Sequence, residues 1–381
     1  IVDALARGAQ IVISGRVTDA SLVVGPAAWA HGWAPTDWDR LAGAVAAGHI
    51  LECGAQATGG NYAFFQEVPG LEHPGFPIAE IAADGSFVVT KHPGTGGRVS
   101  TGTVTAQLLY EIAEPAYANP DVVSRFDTLR LEEIGPDRVN VSGAVGEPAP
   151  PTTKLAINYV GGYRNSMTLG LTGLDIAAKA QVAERAITAR LGGVAQFESF
   201  EVQLVGTDHP DSTEATMTVT VKDPDPGRVG RAFSSAITEL ALSSYPGLYA
   251  THPPGSGRPY GVYWPTLVPS HLVSQRVIMG GEVHDVPAIR SDPPTTDRPP
   301  EAAPRFTTPG PPGPTTQAPL GAVFGARSGD KGGNANLGVW ARSEAGYGWP
   351  DGFLTVDEPV SYTHLRAHET AMNISYAVFC L

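Results

Sequence analysis

Two cysteines, Cys53 and Cys380, are all that 381 residues contain. No disulfide framework can be written from them, which fits a reducing compartment and a cytoplasmic location. No run approaches the roughly 18 apolar residues a bilayer-spanning helix needs, so no such span is expected. Basic residues are scarce: 25 Lys and Arg stand against 38 Asp and Glu, a net charge of −13. They form no dense run, so neither nucleic acid nor an anionic membrane surface is expected as a partner. The ten histidines include no pair that combines metal-ligand spacing with an acidic partner. His364 and His368 are four apart but lack the His-Glu-x-x-His order, so no metal is expected and no cofactor is assigned.

What is abundant is glycine, 45 residues, and proline, 34, within a chain that is 42% hydrophobic. Residues 1–8 read as the last turns of an amphipathic helix, and residues 10–14 as a short buried strand. A helix feeding a buried strand belongs inside a βαβ series, so elements upstream of Ile1 are expected. Helices are predicted over 38–47, 101–112, 175–191 and 226–242, the third ended by Gly192-Gly193. Strands are predicted over 86–90, 129–131, 139–141, 155–160, 200–204 and 215–221. Gly135-Pro136-Asp137 turns between two of them, and Gly161-Gly162 close another. The fold class is therefore mixed α/β or α+β, with strand order open.

Ten prolines fall within the 28 positions 292–319. Proline fixes φ and removes a donor, so this stretch reads as a linker. A first domain is expected over 1–288, the linker over 289–319, and a second domain from an apolar, strand-like run at 320–324. From about Pro359 no hydrophobic period fits, and residues 361–370 resemble translated adapter sequence. Residues 359–381 therefore read as a foreign tail.

Five segments carry candidate chemistry. In residues 14–21, after the predicted strand, Arg16 can clamp a carboxylate or phosphate and Asp19 can orient it or move a proton. In residues 48–62, read as a loop rich in small residues, Glu52 is a candidate general base, Cys53 a candidate nucleophile and Asn61 a candidate ligand contact. In residues 91–103 a strand, a glycine-rich turn and a helix start read as an anion cradle. It offers Lys91, His92, Gly94, Thr95, Gly96 and Gly97, with Arg98 adding charge. Its spacing matches neither a dinucleotide fingerprint nor a P-loop. In residues 154–166, Asn158 and Arg164 can complete a polar pocket. In residues 325–336, read as a loop, Arg327, Ser328, Gly329, Lys331, Gly332, Gly333 and Asn334 can follow an anionic ligand, with Asp330 as a second proton-moving carboxylate. For each segment the alternative is a braced turn or a solvated loop.

In combination these motifs resemble the acyclic terpene utilisation family. The resemblance rests on Gly15-Arg16-Val17-Thr18-Asp19-Ala20-Ser21, on Glu52-Cys53-Gly54 through Gly60-Asn61, on Lys91-His92-Pro93-Gly94-Thr95-Gly96-Gly97 and on Ala326-Arg327-Ser328-Gly329-Asp330-Lys331-Gly332-Gly333-Asn334. It covers residues 1 to about 358 apart from the linker. It implies a large α/β domain joined to a small ferredoxin-like α+β domain, both incomplete. It further implies a bacterial protein of citronellol- or geraniol-type terpene catabolism, handling branched acids as acyl-CoA thioesters. The reaction is not assigned by the resemblance, and lyase- or hydratase-like proton chemistry is the class that the side chains fit. The expected partner is a small anionic substrate, an acyl-CoA or a carboxylate, and a homo-oligomer is compatible. The alternative from another class is a non-catalytic acyl-CoA-binding subunit or scaffold for partner enzymes. A third is an inactive fragment whose sheet exposes an unpaired edge.

Overall fold

The helix Trp38–Glu52 is buried on every side from Leu41 to Ile50, as a helix with no polar face must be. Alanine and glycine dominate it, so its neighbours come close. A Cβ on Gly43 would stand 2.0 Å from the Gly85 carbonyl oxygen, and one on Gly48 2.3 Å from that of Ala20. Only glycine fits at either place.

The computed structural model describes residues 1–207, 212–287, 316–331, 334–347 and 374–378. The chain divides into two units, one of Ile1–Lys154 with Leu267–Leu381, the other of Leu155–Thr266. The first unit opens with α1 (Val2–Ala6), α2 (Ser21–His31), α3 (Trp38–Glu52), β1 (Pro77–Ile81), β2 (Phe87–Lys91) and α4 (Thr101–Leu108). It continues with β3 (Ala116–Ala118), β4 (Val122–Arg125), β5 (Arg130–Gly135), β6 (Arg138–Ser142) and β7 (Val145–Pro148). Strands β1-β2-β6-β5 form one antiparallel sheet and β3-β4-β7 another. Helices α2, α3 and α4 share one core with them, including Val45, Ile50, Phe87, Val104 and Val141.

Strand β8 (Thr152–Thr172) carries the chain into the second unit. There follow α5 (Ile176–Arg190), β9 (Ser199–Val205), β10 (Glu214–Asp223), α6 (Phe233–Thr238), β11 (Tyr249–Ala250) and β12 (Arg258–Pro269). The sheet order is β11-β8-β10-β9, with β12 also on β8. The first unit is completed by β13 (Gln275–Met279), β14 (Glu282–Val286), β15 (Phe324–Lys331), β16 (Asn334–Ala341), α7 (Glu344–Tyr347) and β17 (Ile374–Val378). Strands β15 and β16 pair as an antiparallel hairpin, and β17 lies parallel to β16. Trp340 of β16 is buried with Ala106 and Leu109, so the hairpin rests on α4 and the turn after it.

The mixed α and β composition stands, and the 136–137 turn, α5 and strands β2, β6, β9 and β10 fall where the sequence places them. Six local expectations are corrected. Residues 10–14 are irregular, with Ile11 83% and Ile13 94% exposed; an apolar run becomes a strand only where a ladder receives its donors and acceptors. Residues 48–52 are not a loop but the last turn of α3. Strand β8 runs through Gly161-Gly162, because a Cβ on Gly161 would stand 2.4 Å from Val262 Cγ2 and the glycine makes room for β12. Residues 155–160 are exposed, not buried. The helix predicted over 226–242 is broken into a π-type turn, α6 and a 3-10 turn, with non-helical backbone at Gly230. Finally, the apolar run at 320–324 begins as a 3-10 turn, and the strand starts only at Phe324. The proline-rich segment 289–319 lies outside the described residues except for 316–319, and the tail 359–381 except for 374–378.

Candidate functional site

Close approach of backbones assembles the site. Because Gly48 lets α3 touch the carbonyl of Ala20, Asp19 is brought to the last turn of α3, where Glu52 stands. Gln107 of α4 donates its Nε2–H to the His49 carbonyl at 3.2 Å and ties α4 to the same turn. The backbone then reverses at Glu111, whose φ of 59° is left-handed. Such a conformation is costly for a residue with a Cβ and persists only when its surroundings hold it. Asn336 of β16 is the clamp. Its Oδ1 accepts from Glu111 N at 3.1 Å, and its Nδ2 donates to Leu109 O at 2.8 Å and Ile112 O at 3.0 Å. Asn336 is itself buried, 7% exposed, so these bonds are made away from water.

The result is a half-buried group of three carboxylates, Asp19, Glu52 and Glu111, each offering one oxygen within 4.8 Å of the other two. Like charges this close repel by several kcal/mol at an effective dielectric of about 20. Groups so arranged are stabilised by a cation or a cationic guest. The donor set suits a hard divalent ion, which the sequence reading did not expect.

The surroundings set the roles of the neighbours. The Cys53 thiol donates to Glu52 Oε1 at 3.0 Å. Burial, then the bond to Glu52 and the nearby acidic charges, push its pKa up to about 12. A thiol held protonated is a poor nucleophile, so Cys53 is removed from the catalytic candidates. Tyr110 is also pushed up, first by burial and then by its hydrogen bond to Glu111. Over the Tyr110 ring, 4.2 Å from its centre, lies the guanidinium of Arg327. Arg327 donates to Gln56 Oε1 and, at 3.4 Å, to the carbonyl of Asn61. Gly329 presses on the same place, since a Cβ there would be 2.7 Å from Tyr110 Cε2 and 3.0 Å from Glu111 Cγ.

Asp19, Glu52, Asn61, Arg327 and Gly329 are thus brought together, Asn61 through its backbone oxygen. Asp330 is not in the carboxylate group and is exposed on β15, as is Ser328. Residues 327–331 form a strand rather than a loop. Lys331 and Asn334 face each other as Cα partners where the hairpin opens, and Gly332 and Gly333 lie outside the described residues. Arg16 is exposed in irregular chain. Asn158 and Arg164 are exposed on β8 in the other unit.

The anion cradle at 91–103 is overturned, because its donors face inward. Thr95 N donates to His92 O, Gly96 N to His73 O, Gly97 N to Pro69 O and Arg98 N to Thr58 O, at 3.4, 3.1, 2.8 and 2.8 Å. Thr101 N at the start of α4 donates to Glu133 Oε1 at 3.0 Å. Lys91 Nζ is buried against Thr95 O at 2.9 Å and Asp137 Oδ2 at 3.2 Å. His92 and Gly94 are exposed. The segment is a braced connector. Only Arg98 keeps a cationic role, lining a cavity of about 300 Å³ with Tyr62, Ser100, Glu133 and Trp340.

Sequence reasoning missed Glu111, Asn336 and Tyr110. Glu111 closes a predicted helix and carries no mark of its left-handed backbone, while Asn336 was read as the end of a loop.

Compared with known proteins, residues 1–279 match the family model described as acyclic terpene utilisation family protein AtuA. No curated protein and no solved structure matches the chain.

Proposed function

The chain belongs to the acyclic terpene utilisation family, and on that premise we propose that it is an enzyme acting on a branched acyl-CoA thioester or its carboxylated derivative in acyclic terpene breakdown. The observation that carries this reading is the meeting of Asp19, Glu52 and Glu111, which come from three distant segments. A hydratase-like elimination needs one base to take a proton from the carbon beside the thioester carbonyl, and an acid to protonate the hydroxyl that leaves the next carbon as water while the double bond forms between them. Two carboxylates within one such group can divide those tasks, a device worth about 10²–10⁴ in rate. Glu52 is the candidate base and Glu111 or Asp19 its partner. Arg327, beside Tyr110, supplies a fixed cation for an anionic substituent of the substrate. Arg98 and its cavity offer a second such contact. On the family resemblance, the chain from β15 onward is read as the start of a ferredoxin-like domain.

The test is a mass-spectrometric screen of the purified protein against CoA thioesters of saturated, unsaturated and carboxylated methyl-branched acids. Turnover of at least one, lost in Glu52→Gln while the circular dichroism spectrum is kept, is the expected result. Tight binding of a thioester without turnover, with partner enzymes of the pathway present, would contradict catalysis and leave a non-catalytic binding subunit.

A further inference from the structure

The unit Leu155–Thr266 contains its own cavity, of about 410 Å³. Its chemistry is unlike that of the carboxylate group. Met167 and Leu169 of β8, Ile237 of α6, Ala241 and Leu248 line it with apolar surface. The facing rim is residues 249–254. This stretch pairs with β8 only at Tyr249 and Ala250 and through a Thr251 N–H donated to Thr168 O at 3.0 Å. His252-Pro253-Pro254 then leave the sheet. Two of the hydroxyls along the cavity are engaged, Thr238 Oγ1 donating to Ser234 O at 2.8 Å and Thr251 Oγ1 to Thr168 O at 3.3 Å, and the Tyr249 phenol also lies on the rim. Pro253 and Pro254 have no N–H to offer. A guest is therefore held mainly by removal of apolar surface from water, with Nε2 of His252 as a polar contact, since Nδ1 of the same ring is bonded to Pro253 O at 3.0 Å.

Ligand cavities run from about 300 to 1,000 Å³, so this one lies near the small end. We propose that it holds the methyl-branched hydrocarbon chain of an acyclic terpenoid, its oxygenated end toward His252. This rests on the terpene reading given above and adds a binding site for the hydrocarbon that is separate from the carboxylates. The site lies outside the unit that carries Asp19, Glu52 and Glu111, so binding can be separated experimentally from proton chemistry.

The experiment is calorimetric titration of the whole chain with citronellate, with benzoate as a compact control of the same charge. Ala241→Trp fills the cavity from an exposed position, and Leu248→Ser makes its wall polar if the first variant proves unstable. Saturable binding of citronellate but not of benzoate, weakened at least tenfold by either cavity variant and unchanged in Glu52→Gln, is the expected outcome. Absence of citronellate binding overturns the proposal, as does binding that both cavity variants leave intact. Binding lost in Glu52→Gln but kept in Ala241→Trp would also overturn it, placing the ligand at the carboxylates and sparing the enzymatic reading. Citronellate bound in this cavity by a protein that turns over no thioester would support this site and defeat that reading.

Discussion

At the scale of single residues, Cys53 shows how position decides chemistry. Its thiol looks like a nucleophile in sequence, between Glu52 and Gly54. In the structure Glu52 accepts the S–H, and burial with neighbouring acids pushes the thiol up to about 12. A thiol at that value carries about 10³-fold less thiolate at pH 8 than an ordinary cysteine. Iodoacetamide labelling of Cys53 at pH 8, followed by peptide mass spectrometry, should therefore be very slow in the folded protein and fast after denaturation. Glu52→Gln removes a factor that raises the pKa, so labelling near pH 9–10 should speed up. Labelling at the free-thiol rate in the folded wild type would contradict the assignment. Glu52 and Asp19 were legible as candidates because each is an acid in a segment dense in small and polar residues. Glu111 was not, because nothing in Leu-Tyr-Glu-Ile reveals that the backbone turns left-handed there.

At the scale of elements, glycine determines how α3 sits. The sequence discloses a helix from residue 38 but hides its length, since Gly48 and the residues after it look like a loop. Gly48 is instead the contact that brings Asp19 to Glu52, and Gly43 the one that admits the Gly85 turn. Overpacking of this kind costs about 1–3 kcal/mol or more where backbone is the obstacle. Gly43→Ala and Gly48→Ala should each lower the unfolding temperature by several degrees, measured by calorimetry. Gly15→Ala, with nothing within 4 Å of its Cβ, should leave it unchanged. Gly48→Ala should in addition lower turnover by more than its stability loss explains, since Asp19 moves away from Glu52. Equal unfolding temperatures for all three variants would remove close packing as the cause.

At the scale of the whole molecule, the first unit is discontinuous in sequence. The β15–β16 hairpin, more than 200 residues downstream of α4, holds Glu111 through Asn336 and covers Tyr110 with Arg327. The sequence marks residues 325–336 as polar and glycine-rich, but only tertiary contact joins them to Tyr110 and Glu111 in one site. Asn336→Ala leaves two carbonyls and an N–H without their partner, which should cost roughly 2–4 kcal/mol. Denaturant unfolding measures the loss, and turnover should fall as Glu111 is released. An Asn336→Ala protein as stable and as active as the wild type would show that the hairpin does not support the site.

The central claim is that Asp19, Glu52 and Glu111 act as one group, and a mutant cycle on kcat/KM with the best branched thioester tests it directly. Residues acting as a unit give effects that do not add. Asp19→Asn, Glu52→Gln and Glu111→Gln should each reduce kcat/KM at least about 10²-fold, and the triple variant should be little worse than the weakest single one. Full activity in the Glu111→Gln variant, or losses that multiply independently across the three, would contradict it.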